Sequence, residues 1–122
     1  LTTLHANSPR DALSRLETLV LMAGMELPLA AIREQIASAI DIVVQQTRFS
    51  CGARRITSIA EVTGMEAGRI QLQELFRFVR QASGQGHGTG QFSGCDVVPS
   101  FYDELRETGV ALDMRIFDRQ ST

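Results

Sequence analysis

Lysine is absent: all 12 basic residues of the 122-residue chain are arginines. A phosphate-binding loop of the G-x-x-x-x-G-K-[ST] kind needs its lysine to reach the β- and γ-phosphates, so these residues alone cannot form one. Schiff-base chemistry, which needs an amine nucleophile, falls with it. Positive charge is also scarce overall. The net charge is −2, whereas general nucleic-acid binders carry a basic domain. Long apolar runs are missing too. The uncharged stretch Thr18–Met25 falls far short of the ~20 apolar residues of a membrane span. Cys51 and Cys95 lie far apart, without the paired spacing of a structural zinc site. Isolated thiols of this kind are expected to be buried small hydrophobes in a reducing, cytoplasmic setting. The opening residues are not expected to act as a signal peptide.

What is present has the composition of one folded domain. Apolar residues make up 43% and charged residues 21%, and a chain of this length buries roughly two-thirds of its unfolded surface without a disulfide or metal. Residues 1–7 mix β-branched and apolar types without helical period and read as a strand leading into a loop. Ser8-Pro9 is a helix start, with Asp11 three residues on to complete a capping box. Leu13, Leu16, Val20 and Ala23 follow at helical spacing until Gly24. A second helix begins at Pro28 and carries Ile32, Ile36, Ala39 and Ile40 on one face.

Past Asp41 the pattern turns to strands. Residues 42–49, 54–62 and 69–73 are β-rich and separated by turn signals at 50–53 and 64–68, which predicts an antiparallel meander. Residues 83–94 hold Gly84, Gly86, Gly88, Gly90 and Gly94 and read as a flexible excursion. A last helix is expected from Pro99-Ser100 to Gly109, with Phe101, Tyr102 and Leu105 inward. Residues 110–117 are expected to be a final strand.

Few side chains suggest chemistry. His5 follows a predicted strand and precedes a helix start, a common place for active-site groups, and imidazole can bond a phosphate oxygen or orient a carboxylate. His87 sits in the glycine loop without a ligand-bearing neighbour. The glycine series lacks a lysine and a following capped helix, so both phosphate-loop fingerprints fail. Asp103, Glu104 and Glu107 resemble paired carboxylates, but Asp103 and Glu104 suit the first turn of a helix after Pro99. Arg54, Arg55, Arg77 and Arg80 are too scattered for a nucleic-acid stripe and suit ion pairs.

The run Thr2-Thr3-Leu4-His5-Ala6-Asn7-Ser8-Pro9-Arg10-Asp11-Ala12-Leu13-Ser14-Arg15-Leu16-Glu17 resembles the His box of the type II/IV secretion and pilus-assembly ATPases. It is most similar to the CpaF-type ATPases of tight-adherence (Flp/Tad) pili. The resemblance continues through Arg33–Asp41, Arg55–Glu66 and Val98–Tyr102. It implies an α/β fold: the C-terminal portion of a RecA-like P-loop ATPase domain spanning residues 1–122, with helices and a small antiparallel meander. It implies a catalytic His5 near the γ-phosphate, supported by Thr2, Thr3, Asn7 and Arg15, with no protein-bound metal site.

By the same resemblance the parent is a hexameric ring at the cytoplasmic face of the inner membrane. It would use ATP and Mg, contact an inner-membrane platform protein, and bind no nucleic acid. Walker A and Walker B would lie upstream of Leu1, so the piece alone is expected to be inactive and to hold no nucleotide tightly. Two other readings stand beside it: a non-catalytic α/β adaptor of such a system, and a small-ligand binder using the glycine loop.

Overall fold

The computed structural model describes residues 1–24, 26–80 and 90–120. His87 and the readings for Gly84, Gly86 and Gly88 lie outside them. Helices α1 (Pro9–Met22) and α2 (Leu29–Ala39) precede strands β1 (Ile42–Arg48), β2 (Arg54–Glu66), β3 (Arg69–Arg80) and β4 (Gly90–Gly94). A short helix α3 (Tyr102–Glu107) and a 3-10 turn (Met114–Phe117) follow.

The first helix forms where its punctuation places it. Ser8 is extended, its Oγ accepts from the Asp11 amide at 3.0 Å, and Pro9 opens the helix. The Asp11 carboxylate does not close the box on Ser8 but accepts from the Asn7 amide at 2.9 Å, one residue earlier. Gly24 ends the run at φ 79° and donates to the Leu21 carbonyl. From the two helices Leu13, Ile32 and Ile36 meet Val62 of β2 and Ile70 of β3 in one buried cluster. Ile32 is 1% exposed; full burial of such a side chain contributes about 1.5–3 kcal/mol. Two arginines tie the layers at their rim. Arg33, paired with Glu17 of α1 at 3.0 Å, donates from Nη1 to the Gly68 carbonyl at 3.2 Å, and Arg10 donates to the Ile70 carbonyl at 2.7 Å.

The sheet corrects the RecA-like expectation. Its order is β1-β2-β3-β4, and each neighbouring pair is antiparallel. A RecA-like P-loop domain rests on parallel strands, which need crossovers of a dozen or more residues between them. Here strands adjacent in the chain fold back on one another, and α1 and α2 come before the sheet rather than between its strands. The architecture is α+β, a four-stranded antiparallel sheet with few helices. Residues 1–6 belong to no strand. β-Branched composition makes a strand only where a ladder partner exists, and what reaches this segment is the Gln45 side-chain amide, which donates to the Ala6 carbonyl at 2.9 Å.

Strand lengths also depart from expectation, and bulges explain why. β2 runs on to Glu66 because Gly64 sits at a register shift inside the strand instead of in a turn. The turn is only Ala67-Gly68, at φ 52° and 78°, the all-positive geometry of a two-residue hairpin connection. The shift between Ile59 and Ala60 breaks the alternation, so Ser58, Ala60, Glu61 and Val62 are all buried. β4 forms within the expected glycine excursion: Phe92 lies opposite Phe78, and its ring stacks on Phe76 at 5.7 Å.

The expected strand over 110–117 is a loop and a 3-10 turn. Asp113 Oδ1 accepts from the Arg115 amide and bends the chain, which leaves Phe117 6% exposed against Phe76. A Cβ at Gly94 would run into the Phe117 backbone, so this close approach requires glycine. The cysteines differ from expectation as well, since Cys51 is exposed in the β1–β2 turn and Cys95 is half-buried.

Candidate functional site

The segment carrying the predicted His box lies on the surface, against the start of α1. Thr2, Thr3, His5, Asn7 and Arg15 are all exposed. Two of them converge on Asp11, whose Oδ2 accepts from the Asn7 amide at 2.9 Å and from Arg15 Nε at 3.2 Å. The Asn7 amide first, and then the Arg15 guanidinium, holds the Asp11 carboxyl below the usual carboxylate range. Thr2, Thr3 and His5 precede this knot and present their side chains outward. The knot fixes Asn7 at the entry to α1, two residues after the exposed His5.

A second cluster was not legible as a site. Glu61 is 3% exposed, yet it is a carboxylate on β2. Both of its oxygens accept from the Ser100 amide at 3.1 Å, Oε1 accepts from Ser100 Oγ, and Oε2 accepts from Gln73 Nε2 at 3.2 Å. Neutral donors thus compensate a buried anion. The residue pins the chain around Pro99 and Ser100 to the sheet and has a structural task. The acidic residues of α3 are solvent-facing, and Asp103 pairs with Arg106 at 3.4 Å.

A third feature is a cavity of about 260 Å³ beside β3 and β4, lined by Arg77, Val79, Gln91, Ser93, Cys95 and Arg119 with their neighbours Gly94 and Gln120. Arg77 stands opposite Ser93 in the β3–β4 register. Glu74 orients it through Nε at 2.7 Å, and this hydrogen bond holds the guanidinium more firmly protonated than usual. The expected ion-pairing role of Arg77 is therefore observed, while Arg80 lies over the Phe49 ring at 5.2 Å. The last turn of chain is fastened by backbone donors: Arg119 N to Asp96 Oδ1 at 2.6 Å and Gln120 N to Ser93 Oγ at 2.8 Å. Burial pushes the Cys95 thiol up, and the Glu74 carboxylate adds to that shift.

The chain has no lysine for the phosphates, and no group of three His, Cys, Asp or Glu side chains among the described residues could hold a metal ion. No helix among them is long and apolar enough to cross a membrane.

No family model matches the chain. It is similar to two curated relatives from Mycobacterium tuberculosis, strains CDC 1551 / Oshkosh and ATCC 25618 / H37Rv, whose names both contain the words conjugal transfer protein. Each is 35% identical over 69 residues, which is 57% of this chain. The chain is thus related in sequence to proteins named for conjugal transfer, of whose length the match covers 19%.

Proposed function

We propose that this chain serves a secretion or conjugation system as part of a larger motor protein related to the CpaF-type ATPases. In this reading it contributes surface and coupling groups rather than the nucleotide pocket. The observation that carries the reading is the 35% identity to conjugal transfer proteins of which the match occupies only 19%. The exposed His5, two residues before the fixed Asn7, supports it, because a residue meant to meet nucleotide held elsewhere in the protein must be presented rather than buried. The missing lysine agrees, since the phosphate contacts must then come from other residues.

The parent would assemble as a hexameric ring against an inner-membrane platform protein, at the cytoplasmic face. The test is His5→Ala in the full gene product that carries this segment. ATP turnover should fall sharply with thermal stability unchanged, because the side chain is exposed. Undiminished turnover would sink the assignment.

The antiparallel sheet favours a second reading, an adaptor module without catalysis. A gene product that hydrolyses no ATP and is still required for transfer would select it.

A further inference from the structure

The cavity between β3, β4 and residues 119–120 has a recognition chemistry unrelated to His5. Its lining contains two guanidinium groups, Arg77 and Arg119, and no carboxylate. Glu74 and Asp96, the acids nearest them, stand outside the lining and act as orienting partners. Arg77 is held by Glu74 Oε1 at 2.6–2.7 Å. Arg119 Nε is 3.7 Å from Asp96 Oδ2, beyond hydrogen-bond distance, and its side chain is 71% exposed. The Arg119 amide, which donates to Asp96 Oδ1 at 2.6 Å, fixes the backbone there, so the loosely ion-paired fork can turn to a ligand without loosening the fold.

The remaining groups fit the same purpose. Gln91 adds a side-chain amide to the lining, while Gln120 Nε2 donates to the Asp118 carbonyl at 3.3 Å. Ser93 is committed to Gly94 O and to the Gln120 amide, which positions the Gln120 backbone. Guanidinium forks match the oxygens of phosphate bidentately, and two of them flanking one cavity favour an anion with several terminal oxygens. At 260 Å³ the space is below the ~300–1,000 Å³ that encloses drug-sized ligands and suits a compact anion.

We propose that this cavity binds a compact phosphate-class anion, inorganic phosphate or diphosphate, clasped between Arg77 and Arg119. The experiment is calorimetric titration of the full chain with sodium diphosphate, and separately with sodium phosphate, in chloride buffer at constant ionic strength. Saturable one-to-one binding is expected. Arg119→Gln should weaken it about tenfold while leaving the far-UV spectrum and melting point intact. Arg106→Gln, an exposed arginine on α3, should leave binding unchanged and serves as the control for bulk charge.

Two-dimensional NMR on the same samples should show the Gly94 and Gln120 amides shifting. Absence of saturable heat with both anions overturns the proposal. So does equal weakening by Arg106→Gln, or a shift pattern centred on the start of α1. None of these outcomes bears on ATP turnover in His5→Ala, so the two readings fail separately.

Discussion

Removing the Glu61 carboxylate tests whether a buried anion is the fastener of the C-terminal segment. In Glu61→Ala the Ser100 amide and the Ser100 hydroxyl lose their acceptor, and Gln73 Nε2 keeps only the Val98 carbonyl. Hydrogen bonds to a charged group are worth about 1.5–3 kcal/mol each, with the larger costs arising when the orphaned partner stays buried. Ser100 is exposed, so water can re-satisfy its donors, and the net loss comes to about 2–3 kcal/mol. Ser100→Ala removes only the hydroxyl and should cost about 1 kcal/mol. Because both variants delete the same contact, the double variant should cost less than the two costs added, by about 1 kcal/mol.

Far-UV circular dichroism melts give the readout. An unfolding entropy near 2.1 cal/mol/K per residue makes each kcal/mol worth about 4 °C here. Glu61→Ala should therefore melt about 8–12 °C lower, and chymotrypsin should cut faster at Phe101 and Tyr102. Glu61→Gln keeps the shape but turns an N–H toward donors, so it should fall between the parent and Glu61→Ala. A melt within about 2 °C of the parent, or strict additivity in the double variant, would refute the fastener argument.

Two further outcomes follow from the electrostatics. Asp11 has a folded pKa below its unfolded value, so its contribution to stability is present above the unfolded value and lost as pH falls through the folded one. A carbon-13 titration of its carboxyl should give a midpoint under the ~3.9 of an unstructured aspartate. Arg15→Ala should raise the midpoint only partway, because the Asn7 amide remains; full reversion would misplace the cause. With iodoacetamide at pH 8, the exposed Cys51 should alkylate before Cys95, whose thiol is raised by burial. Cys51→Ser should leave only the slow phase, and a fast phase surviving in that variant would contradict the assigned environments.

Local punctuation was readable in the sequence because it acts within a few residues. Ser8, Pro9 and Gly24 bound α1 as expected, and the β-rich runs at 42–49, 54–62 and 69–73 all became strands. Tertiary pairing was not readable in the same way. Gly64 and Gly90 resemble loop residues, yet one marks a bulge in β2 and the other opens β4. Residues 1–7 have strand composition without a ladder partner. The RecA-like expectation came from local resemblance, whereas the sheet is decided by which strands meet, and each meets its chain neighbour. The His-box reading of residues 2–15 rests on motif resemblance, and the exposure of Thr2, Thr3, His5, Asn7 and Arg15 is a finding of the structure. Glu61 carries no local mark as a site, and nothing near it in sequence shows that Ser100 folds back over it. Arg77 and Arg119 share a cavity only because Phe117 packs on Phe76 and brings the chain end beside β4.

The close passage of Phe117 over Gly94 has a consequence for self-association. Together with the bonds from Asp96 N to Phe117 O and from Gln120 N to Ser93 Oγ, it lays the chain's own end along β4. That flank of the sheet is shielded from strand addition by another copy. The opposite flank is β1, where Val44 is 55% exposed, Arg48 supplies charge and a register shift follows Gln45. Charge and irregularity of this kind discourage intermolecular pairing. Edge-to-edge association of this protein would thus stop at a closed pairing of β1 with β1 of a second copy, and a second charge there would suppress it more effectively than any change near β4.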